Sequence, residues 1–244
     1  MMDPDAERTE MSTEQTPKGK VPGWIRYVLY FGLIPLIVIG GIVIFRERWY
    51  LWISAAVLLV SMIPFFFVFE KSRISVYKLV LLSVMVALSV FGRIAFYWVP
   101  FFKPVTAMVI IAGTYMGMEC GFMCGALSAI LSNLYFGQGP WTPFQMLTWG
   151  MIGLGAALLA NVFKKYRWSW LIYGLLAGLA YSMMMDVWTS LVTDGTLEAS
   201  RYWFYFVSAL PMTGIYMGSN LVFLLLLGYP IGKKLERMNL KYGL

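Results

Sequence analysis

Residues 92–150 read GRIAFYWVPFFKPVTAMVIIAGTYMGMECGFMCGALSAILSNLYFGQGPWTPFQMLTWG. An apolar run ends at a single arginine, Arg93, and a proline-bounded loop follows through Pro100, Lys103 and Pro104. Glycines then recur at every fourth position: Gly113, Gly117, Gly121 and Gly125. Small residues at that spacing form a groove where another helix approaches closely; whether it receives a helix of this chain or of another stays open. An uncharged loop closes the stretch, from Gln138 through Trp141 and Phe144 to Gln145. Polar, aromatic, proline-broken loops between apolar spans point to something held there.

The bulk of the chain sets the solvent in which this stretch folds. Of its 244 residues, 60% are hydrophobic and 13% charged, and the mean hydropathy is +0.72. Soluble domains are nearer half apolar and a quarter charged. The chain therefore reads as an integral membrane protein. Its apolar runs approach the ~20 residues that a helix needs to cross a hydrocarbon core of about 30 Å. The ten-residue alternation of a membrane β-barrel is absent. The expected fold class is all-α, a polytopic protein of eight membrane helices.

Several chemistries drop out. There is no histidine, which removes imidazole acid–base catalysis and most zinc and haem ligation. Cys120 and Cys124 stand four apart, which alone is no metal site, and read as small buried residues. The run GYPIGKK at 228–234 has the wrong spacing for a phosphate-binding loop and lacks the following Ser or Thr. No nucleophile elbow and no carboxylate–histidine cluster occurs. Neither an enzyme nor a cofactor or metal is expected. Two readings other than a chain that holds a ligand in its outer loops stand. A self-sufficient secondary carrier would be favoured by inverted repeats, and none is evident; a mid-membrane carboxylate relay is also missing. A non-transporting membrane scaffold would need nothing in its outer loops.

Read in order, residues 1–22 form a disordered cytoplasmic tail. Its acidic start and the long apolar run after it are not those of a signal peptide. Residues 23–70 form a membrane hairpin with spans at 24–45 and 49–69, turned by Arg46, Glu47 and Arg48. Residues 71–236 form the core, with spans at 75–99, 105–118, 120–136, 144–163, 168–192 and 203–229. Residues 237–244 are a cytoplasmic tail. The spans on either side of Glu119 are short. Glu119 would be costly at the bilayer centre, so a turn between two helices is preferred to one re-entrant segment. With the amino terminus inside, 14 Lys and Arg fall on the inner side and 5 on the outer, the positive-inside bias. A single crossing at 105–136 would place Lys164, Lys165 and Arg167 on the wrong side. The net charge of +7 is thereby a matter of topology, and no nucleic-acid partner is expected.

Helix rise places Arg93 and Asp186 at one level near the outer edge, each about 27 Å from the inner end of its span. Two readings stand: a mutual salt bridge that fixes two helices, or recognition of a polar ligand at an outward-facing pocket. Asn133 and Asn220 are buried amides, serving interhelical hydrogen bonds or ligand contact. Trp141, Phe144, Gln145 and Trp149 follow the outer loop, and Tyr181, Trp188, Tyr205 and Tyr216 lie on the last two spans. Trp141 and Gln145 read as a lid over a flat, ring-bearing ligand, in keeping with pockets of apolar walls and few polar anchors. Met183, Met184 and Met185 read as packing. The candidate substrate-binding set is Arg93, Asn133, Gln138, Trp141, Gln145, Trp149, Tyr181, Asp186, Tyr216 and Asn220.

Residues 76 to about 236 resemble the substrate-binding (S) subunit of energy-coupling factor (ECF) vitamin transporters. The likeness is carried by the Ser/Ala-rich first core helix ending in Gly92 and Arg93, and by the Pro100–Pro104 loop. It extends through GTYMGMECGFMCGALSA, the FGQGPWTPFQM loop, Trp149 with Gly150, and Asn220. The resemblance implies a six-helix core with both ends cytoplasmic, capturing a vitamin at the outer side of a bacterial plasma membrane. It implies as partners a membrane coupling (T) subunit and two cytoplasmic ATPase subunits. In the family, two alanines four apart on the first core helix meet the coupling subunit; the matching positions here are Ser83 and Ala87. The outer-loop pattern is most similar to members assigned to cobalamin or its precursors.

Overall fold

The computed structural model describes residues 23–45, 52–53, 55–56, 59–60, 76–166, 168–194 and 198–242. Among these residues the chain is all-helical, with no strand. The first helix, α1, fills 23–45 as Gly23–Tyr27, a wide π-helical turn at Val28–Leu33, and Ile34–Phe45. The core follows as α2 (Val76–Ala95), α3 (Val105–Met116), α4 (Met118–Phe136) and α5 (Thr142–Leu158). It continues with α6 (Ala160–Lys165), α7 (Ser169–Asp194) and α8 (Ala199–Tyr242). Among the described residues, four stretches are long and apolar enough to cross a membrane: Trp24–Gly41, Val76–Ala95, Ser169–Asp194 and Ala199–Lys241. The molecule is an all-α polytopic membrane protein. The expected tail at 1–22, the turn at Arg46 to Arg48 and most of the span at 49–69 lie outside the described residues.

The hub is α3. Every residue from Val105 to Thr114 is buried, and α2, α4, α5, α7 and α8 all pack on it. Its 12 residues rise only about 18 Å, short of a hydrocarbon core. A helix wrapped in protein has no lipid thickness to match, because its backbone is satisfied internally. The loop before it explains the late start. Residues 96–104 turn into the bundle, where the Ser219 hydroxyl accepts from the Lys103 N–H at 2.8 Å and donates to the Lys103 carbonyl at 2.9 Å. Phe96 and Phe102 close on Phe223 of α8 with ring centroids 5.0 Å away.

The glycine ladder serves two purposes. Gly117 breaks α3 from α4 with φ 92°, a left-handed conformation that glycine takes at little cost. This puts the break where two helices were expected, and makes Gly117 a hinge and not a packing position. Gly113, Gly121 and Gly125 face α5 of the same chain. A Cβ on Gly121 would lie 2.6 Å from the Gly153 carbonyl oxygen, and one on Gly125 2.5 Å from the Trp149 carbonyl oxygen. Neither position has room for a methyl group, so α4 and α5 meet backbone to backbone.

At the α3–α4 turn, Glu119 sits in the first turn of α4, where a carboxylate favours the helix dipole. Its Oε1 also lies 2.9 Å from Arg26 Nη1 of α1, an ion pair without hydrogen-bond angles. Tyr30, Ile34 and Val38 on the same side of α1 are fully buried, and the Tyr30 ring meets Phe122 at 4.8 Å. The amino-terminal helix therefore packs on the core.

Two boundaries differ from expectation. The span at 144–163 is two helices, α5 and α6, bent at Leu159 (φ −92°, ψ 6°). The last helix does not stop near 229 but runs 44 residues to Tyr242, a rise of about 66 Å. Residues 237–242, expected as a tail, continue it because they are tied down. Asn239 Nδ2 donates to the Tyr115 carbonyl at 2.7 Å, capping one of the free carbonyls in the last turn of α3. Pro211 and Pro230 lie inside this helix, each removing one backbone donor.

Candidate functional site

At the end of the bundle where α2 and α4 finish and α5 begins, Arg93 is buried. Its guanidinium donates through Nη1 to Ser132 Oγ, and through Nη1 to Asn133 Oδ1 at 2.9 Å. Asn133 Nδ2 donates in turn to Thr142 Oγ1 at 2.9 Å and to Gln145 Oε1 at 2.8 Å. Gln145 Nε2 donates to the Tyr181 hydroxyl at 3.1 Å. One chain of polar side chains thus runs from α2 through α4 and α5 to α7.

Aromatic rings enclose this chain. The Arg93 guanidinium carbon stands 4.6 Å from the centre of the Phe136 ring and 5.5 Å from that of Trp149, within cation–π range. Trp149 stacks on Tyr181 at 4.9 Å and 17°, and its indole N–H reaches Thr106 Oγ1 at 3.3 Å. Tyr216 of α8 meets Tyr181 edge-on at 5.1 Å and Phe101 at 5.4 Å. Phe101 holds φ 62°, a strained backbone for a bulky residue, and the inward-turned loop keeps it there.

The 137–141 loop is braced from inside. Gln138 Nε2 donates to the Ile130 carbonyl at 2.7 Å, and its Oε1 accepts from the Thr142 hydroxyl at 3.0 Å. The Trp141 ring folds back on Gly139, where any side chain would overlap it, and meets Trp188 edge-on at 5.9 Å.

The candidate residues therefore divide. Arg93, Asn133, Gln138, Gln145, Trp149, Tyr181 and Tyr216 are joined by contacts, Gln138 through Thr142, while Trp141 touches Trp188 and Gly139 of the loop. Asp186 is buried with Oδ2 unpartnered. The ion pairs among the described residues are Arg26 with Glu119 and Arg201 with Asp194; Arg93 and Asp186 form none, so the mutual salt bridge is not what the structure holds. Asn220 donates to the Gly174 carbonyl at 2.9 Å, joining α7 to α8, and makes no hydrogen bond to the Arg93 cluster. Met184 and Met185 pack on the core, Met183 is half exposed, and Tyr205 lies against Phe204. Cys120 and Cys124 are buried and free.

Sequence reasoning passed over Ser132, Thr142, Thr106 and Phe136. Ser132 adjoins Asn133 and Thr142 lies in the quoted loop, so adjacency was the available signal. Lys103 was noted but given no role. It is half-buried, and burial, with the charge of Arg93 second, pushes its amine down to about 8.

The family model described as ECF-type riboflavin transporter, S component, matches residues 73–237. The chain belongs to this family. It is a substrate-specific transporter subunit, and the family is one of transporter components rather than enzymes. The matched stretch covers α2 through most of α8, nearly the part that carries the resemblance; α1 precedes it. Neither a curated protein nor a solved structure matches the chain.

Along α2 and α4, Ser83 and Ala87 line an apolar groove of about 240 Å³ with Val86, Val90, Leu127 and Leu131. The Ser83 hydroxyl donates to the Leu79 carbonyl at 3.0 Å. That back-bond satisfies the one polar atom by which this position departs from alanine.

Proposed function

We propose that this S component captures a flat, ring-bearing vitamin at the end of the bundle formed by Arg93, the 137–145 loop and Trp188, facing the outside of a bacterial plasma membrane. The observation that carries this reading is a set of buried polar atoms without partners: Arg93 Nε, Asp186 Oδ2 and Trp188 Nε1. Buried donors and acceptors left unpaired are rare and call for an occupant. The stacked Trp149 and Tyr181 rings and the mutually bonded amides of Asn133 and Gln145 hold the Arg93 guanidinium in place from behind, leaving its Nε for the ligand. A flavin, the vitamin named in the family's description, is flat and ring-bearing and has an edge of carbonyl and ring-nitrogen acceptors for Arg93. The corrinoid suggested by the outer-loop pattern has no support from the family match. The chain holds no nucleotide-binding motif of its own, so uptake is driven by a membrane coupling subunit seated on the Ser83–Ala87 groove and two cytoplasmic ATPase subunits.

The test is ligand capture by the purified chain. Protein prepared in detergent from rich medium is extracted with organic solvent and the released compound identified by mass spectrometry. Titration with riboflavin, cobalamin and a vitamin panel follows, read by thermal shift. A stoichiometric flavin supports the reading in full, and a stoichiometric corrinoid keeps the capture role and replaces the ligand. No bound compound and no shift across the panel would overturn it.

A further inference from the structure

The far end of the bundle carries a second site. From Gln145 to Phe163 is 18 residues along α5 and α6, a rise of about 27 Å, so this end lies one hydrocarbon thickness from the Arg93 cluster. A cavity of about 420 Å³ opens there between α6, the start of α7 and the late turns of α8. Its charged wall holds Lys164, Lys233 and Glu236. Lys164 Nζ lies 5.6 Å from the Tyr115 ring centre and Lys233 Nζ 4.4 Å from that of Tyr229. Neither lysine has a carboxylate partner among the described ion pairs. Apolar residues line the cavity too, among them Trp170, Leu224 and Leu225, and Leu225 is 63% exposed. Inside, the Trp170 indole N–H is buried and lacks an acceptor, while its ring is fixed against Gly228.

We infer that this cavity binds the phosphate headgroup of an anionic phospholipid, with an acyl chain laid along Leu224 and Leu225. A phosphodiester supplies the oxygen that Trp170 Nε1 lacks and the negative charge that Lys164 and Lys233 lack. Its tail suits a lining that is apolar and, at Leu225, exposed. A headgroup belongs at this depth, where basic residues gather at a membrane surface. The proposal goes beyond vitamin capture and does not depend on it.

The experiment uses the full chain, delipidated in detergent and incubated with phosphatidylglycerol or phosphatidylcholine of matched acyl chains. Native mass spectrometry reads the retained lipid. The expected result is preferential retention of one phosphatidylglycerol. Each lysine near an anionic surface contributes about a fivefold preference, so Lys164→Gln with Lys233→Gln lowers the selectivity about twenty-fivefold. Lys234→Gln with Arg237→Gln, which removes as much charge outside the cavity, leaves it unchanged. Trp170→Phe keeps the ring, removes the N–H and lowers retention. Equal retention of both lipids, equal loss in the two double variants, or full retention by Trp170→Phe would overturn the assignment. So would a thermal shift from inorganic phosphate alone as large as that from the lipid, which would make this a free-phosphate site. A chain that retains neither lipid would also overturn it, leaving the cavity to a protein partner.

Discussion

Replacing Asn133 with alanine cuts the polar chain at its centre. The amide accepts from Arg93 Nη1 at 2.9 Å and donates to Thr142 Oγ1 at 2.9 Å and Gln145 Oε1 at 2.8 Å. Asn133 is 0% exposed, so bulk water has no direct access to the vacated groups. Side-chain hydrogen bonds between membrane helices average about 0.6 kcal/mol, and three of them set a floor of about 2 kcal/mol. One is charge-assisted and contributes about 1.5–3 kcal/mol instead, which lifts the ceiling to about 4 kcal/mol. Asn133→Asp divides the sum. A carboxylate keeps the acceptor for Arg93 and loses both donors, so this variant should unfold at higher denaturant than Asn133→Ala. The assay is unfolding of the purified chain in mixed micelles by titration with dodecyl sulfate, followed by helix content. The reasoning fails if Asn133→Ala stays within about 0.5 kcal/mol of the parent, the range of an inert surface change. It fails also if the aspartate is no better than the alanine.

Trp141→Ala and Asp186→Asn should each weaken vitamin binding in a thermal-shift titration while the yield of folded protein holds; unchanged affinity in both would leave the lid and the anchor without a role. Ser83→Leu or Ala87→Leu should spare binding by the isolated subunit and block uptake by cells that hold the complete transporter; normal uptake would remove the groove as the docking face. Lys103 has its amine pushed from 10.5 down to about 8. Between those values the unfolded chain binds more protons than the folded one, so stability should rise as pH climbs from about 8 toward 10.5. Lys103→Met should flatten that rise, and an equal slope in this variant would refute the assignment. Gly153→Val should separate α4 from α5, since its first carbon would already lie 2.9 Å from Val109 Cγ1 and closer still to the Gly121 carbonyl. Overpacking of this kind costs about 1–3 kcal/mol, and a parent-like unfolding curve would contradict it.

How much was legible follows from the range of the interactions. Glu119 marked the α3–α4 turn because a carboxylate is a local signal that lipid rejects. Arg93 and Asn133 stood out for the same reason. Ser132 and Thr142 did not, since hydroxyls in membrane helices commonly bond to their own backbone, as Thr148 does to the Phe144 carbonyl at 2.7 Å. The bond from Asn239 to Tyr115 spans 124 residues, and nothing in the composition of the basic carboxy-terminal stretch announces it; hence a tail was expected where a helix stands. Gly117 was grouped with its neighbours because spacing alone does not separate a packing glycine from a hinge. The Leu159 bend had no Pro or Gly to mark it.

The separation of Arg93 from Asp186 bears most directly on the proposed capture of a vitamin. Had the two formed a salt bridge, each would have satisfied the other, and a ligand would have had to break that pair before gaining anything. Instead Arg93 is held by neutral oxygens, those of Ser132 and Asn133, and by ring faces. These orient the guanidinium without cancelling its charge. Asp186 keeps an unpartnered oxygen on another helix. A neutral ligand with acceptors at one edge and a donor at another gains from both groups at once, while a fully anionic ligand gains from Arg93 and is repelled by Asp186. Under the proposed capture of a vitamin, an uncharged, polar-edged ring should therefore bind more tightly than its phosphorylated form. Comparing riboflavin with flavin mononucleotide on the purified chain tests this directly: tighter binding of the phosphate ester would place the ligand's anion away from Asp186 and remove that residue from the site.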